Sequence, residues 1–350
     1  MSEDQTILVA AEDLRACVAL MLHARGMTED SAQTLADVVV WADLRGVSSH
    51  GVQRLPMYFR ILETGEMDGK AVPVIESRAG AVFIVDGQKC AGPVAMKLAL
   101  EEGAERARKF GIAVASMHSA THTGAIGYYA QKAAAQGLAA IMFNGGPPNM
   151  AYHGAKTPSL ATSPIAMAVP SLEGELLLDM ATATIANGRL QQAMDLGQPI
   201  PAGCALTRDG APTTDASKAE ILLPLGGPKG SGLAFMIEAL TGVLATRPLL
   251  APMIAGGRKH VHNAMLILLD IEAFRPLADF KREMSELAAV IKSLPRLDPD
   301  AEILLPGERG GRDYAQRLAE GVPIGAKAWH RLVKTAADLG VAPPKAIGER

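Results

Sequence analysis

The 350-residue chain has only three cysteines, Cys17, Cys90 and Cys204, far apart and outside any Cys-x-x-Cys pattern. Neither a disulfide framework nor a zinc cluster is suggested, and a reducing compartment fits best. No stretch reaches the roughly 18 uncharged apolar residues that a membrane-spanning helix requires. The first residues, Met1 to Gln5, are acidic and polar, which excludes a secretory leader with a basic n-region, so a cytoplasmic location is expected. Charge of one sign is also missing: 34 Lys and Arg stand against 37 Asp and Glu, a net charge of -3. That leaves no broad basic surface and excludes nucleic acid as an expected partner, while local basic groups remain able to bind phosphate or carboxylate. There is no internal repeat and no low-complexity tract. The alanine-rich run 130–140 is interrupted by Gln131, Lys132, Gln136 and Gly137, as a surface helix and turn would be. Finally, no Gly-x-Gly-x-x-Gly follows any predicted strand, so a Rossmann fingerprint is absent.

What is present describes a globular protein. With 49% hydrophobic and 20% charged residues, 350 positions suffice for two domains with sizeable cores. Helical spacing runs from Leu14 to Leu22, closed by Gly26, and from Leu35 to Ala42, closed by Gly46. Short apolar, β-branched runs predict strands at Ala81 to Gly87, Ile112 to His118, Leu138 to Asn144, Pro164 to Val169, Glu175 to Met180, Ala264 to Ile271 and Glu302 to Leu305. Helices are predicted over Val94 to Lys109, Gly124 to Gln136, Leu277 to Leu294 and Ile324 to Leu339, and a buried one over Leu233 to Ala245. The fold class is therefore α/β (α+β). An α-helical domain is built from both termini, 1–75 plus 275–350, around a central sheet domain, 76–274.

The densest chemistry lies in Asp43 to Arg54. Gly46 can end the preceding helix in the left-handed conformation. His50 follows in a turn, Gly51 permits a close approach, and Val52, Leu55, Phe59 and Leu62 resume helical spacing. Arg54, four residues after His50, can point back toward the imidazole. A carbonyl or hydroxyl held by a histidine, with a carboxylate gripped by an arginine, suits such a pair. Read blandly, the same residues are a cap and a surface histidine.

Two further clusters stand out. Gly226 to Gly232 leads into a helix and offers backbone amides plus Lys229, an anion site in outline. Its lysine precedes the glycine, so it is not a Walker loop, and a glycine-rich turn with a solvated lysine is the plain alternative. His118 and His122 are four apart. On a helix they would share a face and could bind metal, but the strand-to-turn context and the absence of a His-Glu-x-x-His pattern argue against zinc. A metal-dependent hydrolase or lyase using His50, His118 and His122 remains a rival, as does a binding protein without turnover. No metal site is expected.

The string "DLRGVSSHGVQRLPMY" resembles the signature of the type 2 malate/L-lactate dehydrogenase family, which includes ureidoglycolate, sulfolactate and diketogulonate oxidoreductases and piperideine-2-carboxylate reductases. The resemblance runs from Leu14 to Leu339. It implies a non-Rossmann fold whose sheet domain binds NAD or NADP, a homodimer, and hydride transfer to C2 of a small 2-oxo acid. His50 would be the proton donor, oriented by Ser49, with Arg54 on the substrate carboxylate. "LPLGGPKGSGLAFMIEALTGVLA" is similar to the family's Lys-Gly-x-Gly-Leu segment, giving Lys229 and Gly230 the cofactor phosphates. "HSATHTGAIGYY" resembles the ureidoglycolate branch especially, in which His122 competes for the acid/base role. His122, Thr123, Gly124, Ala125 and Ile126 would line the nicotinamide pocket. Asp179, Met180 and Ala181 would contact the cofactor and Thr162 the substrate. Gly307, Glu308 and Arg309 would lie near the adenosine end. Three departures are visible. Ser163 replaces an expected asparagine. No acid lies between Asp179 and Asp195, where Arg189 stands instead, so a cyclic imino acid reductase fits less well. The segment from Thr246 to Ala264 is short and basic.

Overall fold

Seven strands of the central region pair in an order the chain does not follow, and their register is what assembles the site. The computed structural model describes residues 6–256 and 261–349. Among them the large sheet runs Val74–Ala79, Val82–Asp86, Ile112–Ala120, His262–Asp270, Leu138–Gly145, Ile165–Ser171, Gly174–Met180. One neighbouring pair, Val82–Asp86 with Ile112–Ala120, is parallel, bridged by the helix Gly92–Phe110. The other neighbours are antiparallel. A nucleotide-binding sheet of parallel βαβ units is therefore not what this chain builds, in keeping with the missing glycine fingerprint.

Three cores form. The helices Gly92–Phe110 and Gly127–Ala135 pack on the large sheet, burying Phe83, Met96, Tyr129 and Leu266. A second core joins Ala11–Ala24, Glu29–Leu44 and Leu55–Glu63 from the start of the chain to Ala326–Asp338 from its end. It also contains a three-stranded sheet, Val322–Gly325, Thr6–Val9 and Ala346–Glu349. The third core, around Met150, Ile200 and Leu222, holds a five-stranded sheet of two- and three-residue strands. Among the described residues no helix is long and apolar enough to cross a membrane.

Most predicted elements are present within a few residues, and four differ. Glu302 to Leu305 forms no strand. Pro306 has no N–H to donate to a ladder, and its carbonyl instead takes the Leu177 amide at 3.1 Å. Val322–Gly325 is a strand, so the last long helix begins at Ala326. Gly124 to Ile126 stays outside the helix that starts at Gly127, because Gly124 adopts φ +73° and a side chain there would meet Val38 at 2.5 Å. The charge-poor helix after Gly227 runs Pro228–Glu238 and widens into a π turn over Ala239–Val243, and it is buried on one face only, through Ala234, Ile237, Thr241 and Ala245. Leu233, Phe235, Met236, Val243 and Leu244 are exposed, an apolar face that one chain alone leaves uncovered. Of the basic segment between Thr246 and Ala264, residues 257–260 lie outside the described residues.

Candidate active site

Antiparallel register gathers five strand ends on one edge of the large sheet. Ala120 pairs with His262, Asn263 with Gly145, Phe143 with Ile165, and Ile165 with Met180. The segments carrying His122, His262, Asn144, Thr162 and Asp179 therefore emerge side by side, although they span 140 residues from 122 to 262. Alternation alone could not reveal this, because sequence fixes the face of a strand but not its neighbour.

The helix Glu29–Leu44 points its C-terminus at this edge, and two short 3₁₀ turns, Ser48–His50 and Val52–Arg54, follow. Gly46 (φ +78°) supplies the left-handed exit that the sequence predicted. Gly51 accommodates Asp43: a Cβ at Gly51 would lie 1.8 Å from the Asp43 Oδ1. Asp43 Oδ2 in turn accepts the Val52 amide at 2.8 Å, and Arg317 donates to its backbone carbonyl at 2.7 Å. Burial pushes the Asp43 carboxyl up to about 7, against the opposing pull of the Val52 amide and Arg317. In the turn itself, Ser49 Oγ lies 3.1 Å from His50 Nδ1, and Arg54 Nε donates to the Ser49 carbonyl at 2.7 Å. Arg54 thus points back as expected and ties both functional side chains to one rigid turn. Desolvation, followed by the Arg54 charge, pushes His50 down to about 4, so its imidazole is neutral near pH 7.

His50 does not stand alone. Its ring stacks on that of His122, with centroids 5.5 Å apart and 21° between planes. His122 also meets His262 edge-on at 5.3 Å. The Tyr58 hydroxyl lies 2.8 Å from His122 Nδ1, and the Gly124 amide donates to the same nitrogen at 3.2 Å. Behind this, Asn144 Nδ2 faces His262 Nδ1 at 3.4 Å, Thr123 donates to Asn144 Oδ1 at 3.2 Å, and Tyr129 donates to the Thr123 carbonyl at 2.7 Å. Ala125 and Ile126 are buried beside them.

The remaining predicted residues are arranged around this cluster. Asp179, at the accessible end of its strand, accepts the Gly127 amide at 2.9 Å; desolvation raises its carboxyl to about 6 against the opposing pull of Gly127 and Arg45. Met180 lies opposite Ile165, Ala181 packs on the third core, and the Thr162 carbonyl accepts both the amide and the hydroxyl of Thr182. Gly230 is locked against this segment, since a Cβ there would meet Leu225 O at 2.5 Å and Thr182 O at 2.7 Å. Lys229 is exposed in the first turn of the helix Pro228–Glu238. The amides of Lys229, Gly230 and Ser231 donate to Gly226, Leu225 and Gly227 within the turn. What the turn offers an anion is therefore the ammonium and the helix dipole more than free amides. A cavity of about 380 Å³ adjoins it, lined by His153, Thr184, Leu223 and Gly226. Gly307 (φ +84°) packs on Leu177 and gives its carbonyl to Arg45 at 2.9 Å. Glu308 turns away into ion pairs with Lys292 and Arg312, and Arg309 is exposed. The helix Asn187–Asp195, the neighbourhood of Arg189, returns to the turn and sets Gly188 against Ser49.

His118 is engaged elsewhere. It is buried with Ser119 Oγ at 2.9 Å from its Nδ1 and Asp86 at 3.7 Å, apart from the stacked trio. Among the described residues no group of three or more His, Cys, Asp or Glu is arranged to hold a metal ion. The sequence reading missed His262, Tyr58 and Asn144. Tyr58 carried a signal, since His50, Arg54 and Tyr58 recur at intervals of four. His262 carried none, because only strand pairing brings it to His122.

The sequence pattern of the malate/L-lactate dehydrogenase family matches residues 9–333. Malate/(S)-sulfolactate dehydrogenase of Methanothermus fervidus is 31% identical over 340 residues, covering 96% of this chain and 99% of that protein. NAD(+) ureidoglycolate dehydrogenase of Escherichia coli O157:H7 is 28% identical, covering 94% of this chain and 95% of that one. The solved structure of malate dehydrogenase from Pyrococcus horikoshii superposes with a TM-score of 0.88 at 30% identity, over 97% of each chain.

Proposed function

The chain belongs to the malate/L-lactate dehydrogenase family, and from that premise we propose that it transfers a hydride between NAD or NADP and C2 of a small 2-hydroxy or 2-oxo acid of the malate, lactate or ureidoglycolate type. The observation that carries the reading is the pair of 3₁₀ turns that ties Ser49, His50 and Arg54 together while the His50 ring stacks on His122. A proton carrier and a carboxylate fork are fixed on one side of a space that the strand ends close on the other.

The residues present fit a dinucleotide. The Lys229 ammonium would meet phosphate, the accessible Asp179 carboxylate would meet a ribose hydroxyl, and Met180 and Ala181 would contact the cofactor. Thr123 to Ile126 would line the nicotinamide end, and Gly307 would lie near the far end. The bound nicotinamide supplies or accepts the hydride. The chain does the rest. Arg54 grips the substrate carboxylate, Thr162 bounds the substrate, and His50 moves a proton at the C2 oxygen while Ser49 keeps its ring oriented. In oxidation the neutral His50 takes the hydroxyl proton. In reduction it returns one, giving the 2-hydroxy acid and the oxidised cofactor. A substrate carboxylate on Arg54 cancels the charge that depresses His50 and so favours its protonated form.

The buried free thiols Cys17, Cys90 and Cys204 suit the reducing cytoplasm. The uncovered apolar face after Lys229 suits a second copy of the chain. The reading is tested by following oxidation of NADH and NADPH with pyruvate, oxaloacetate, oxamate-like ureido acids and cyclic imino acids. Turnover of a 2-oxo acid is expected; turnover of the imino acids alone would replace the reading with imine reduction.

A further inference from the structure

We infer that the Tyr58 hydroxyl and the Gly124 amide hold His122 as a neutral imidazole protonated on Nε2, so that His122 is a fixed hydrogen-bond donor to the substrate oxygen and His50 alone carries the transferred proton. This rests on the 2-oxo acid reading for the substrate, but the state of the ring stands on its own geometry.

A backbone amide can only donate. With the Gly124 N–H aimed at His122 Nδ1 from 3.2 Å, that nitrogen must present a lone pair, and the Tyr58 hydroxyl at 2.8 Å donates to it as well. A proton on Nδ1 would face the Gly124 N–H directly and forfeit that bond, a loss that turning the Tyr58 hydroxyl to accept does not repair. Tyr58 is fully buried, and desolvation raises its phenol, so it keeps its proton and stays a donor throughout the working pH range. The neutral ring therefore has its single hydrogen on Nε2.

The neighbours reinforce this. Packed against His122 are His50 and Arg54 from the two 3₁₀ turns, Tyr58 from the helix Leu55–Glu63, and His262 from the strand beginning there. None is an acid. Burial, then His262, His50 and Arg54, depress the ring well below its ordinary value.

His50 has the opposite design. Its Nδ1 faces a serine hydroxyl at 3.1 Å, which donates to a bare nitrogen and accepts from a protonated one by rotating. One ring can change its protonation state without losing a partner, and the other cannot. A neutral imidazole N–H aimed at a carbonyl oxygen stabilises the charge that grows there as hydride arrives, without itself giving up a proton.

Full-length protein labelled with ¹⁵N in its histidines gives the direct test. The expected result is one bare and one protonated ring nitrogen for His122, unchanged from about pH 5 to 9. Kinetics provide the second arm. His122→Gln keeps an N–H near the Nε2 position, so its kcat/KM should exceed that of His122→Ala by about tenfold or more, with the pH profile unmoved. A protonated Nδ1 on His122 at any pH of turnover, or a glutamine variant no better than alanine with its pH limb lost, would overturn the assignment. The ring measurement needs no substrate, so a failure there is separable from a failure of the dehydrogenase reading.

Discussion

At the scale of single residues, Arg54 contributes more than charge. Its Nε is already committed to the Ser49 carbonyl, which leaves the fork oriented by the turn that orients His50. Lysine would keep the charge and lose both the anchor and the bidentate grip. Arg54→Lys should therefore cost about 2 to 4 kcal/mol in kcat/KM on a 2-oxo acid, roughly 30- to 1000-fold, and far less on the ester of the same acid. Equal losses on acid and ester would remove Arg54 from the substrate carboxylate. The turn was legible in sequence because its chemistry is local: Gly46, Ser49, His50 and Arg54 lie within nine positions. Tyr58 was marked only by its interval of four from Arg54, and Asn144 and His262 were not marked, since each meets a neighbour that another strand supplies.

At the scale of elements, glycine-mediated close approaches do much of the positioning. Gly51 lets the Asp43 carboxylate sit beneath the His50 turn, and Gly230 clamps the Lys229 turn onto Thr182. Asp43 makes the first contact measurable. Its folded value, about 7, lies above the ordinary 3.8, so the stability it confers is fully present below about pH 4 and is lost as pH rises through 7. Asp43→Asn should gain on the wild type across that window, by up to about 4 kcal/mol above pH 7. Denaturant midpoints at acid and alkaline pH that stay parallel for the two proteins would contradict this. For the second contact, Lys229→Ala should raise the cofactor Kd about tenfold or more, with added salt weakening the wild type more than the variant. Unchanged affinity and salt response would return Lys229 to solvent. Helices and long strands were readable from periodicity. The segment from Glu302 to Leu305 was not, because an apolar run says nothing about whether a ladder partner exists, and Pro306 deprives it of one donor.

At the scale of the whole molecule, antiparallel register gathers the strand ends that carry the candidate site, and an uncovered helix face follows Lys229. Leu233, Phe235, Met236, Val243 and Leu244 follow Lys229 directly along the chain. If a second copy covers them, Phe235→Glu with Met236→Glu should convert a dimer to a monomer in light scattering and loosen cofactor binding through the same helix. A monomeric wild type would refute that surface. The absence of a Rossmann motif was legible, and so were the central strands. The pairing order was not, because the strand from 262 inserts between two that precede it by more than a hundred residues. The central claim is that His50 carries the proton of a nicotinamide-dependent 2-oxo acid reduction. The most direct measurement is single-turnover oxidation of the bound reduced cofactor by a 2-oxo acid in wild type and His50→Gln. A loss of about 10²- to 10⁴-fold in rate at nearly unchanged cofactor affinity is predicted, and equal rates in the two proteins would contradict the account.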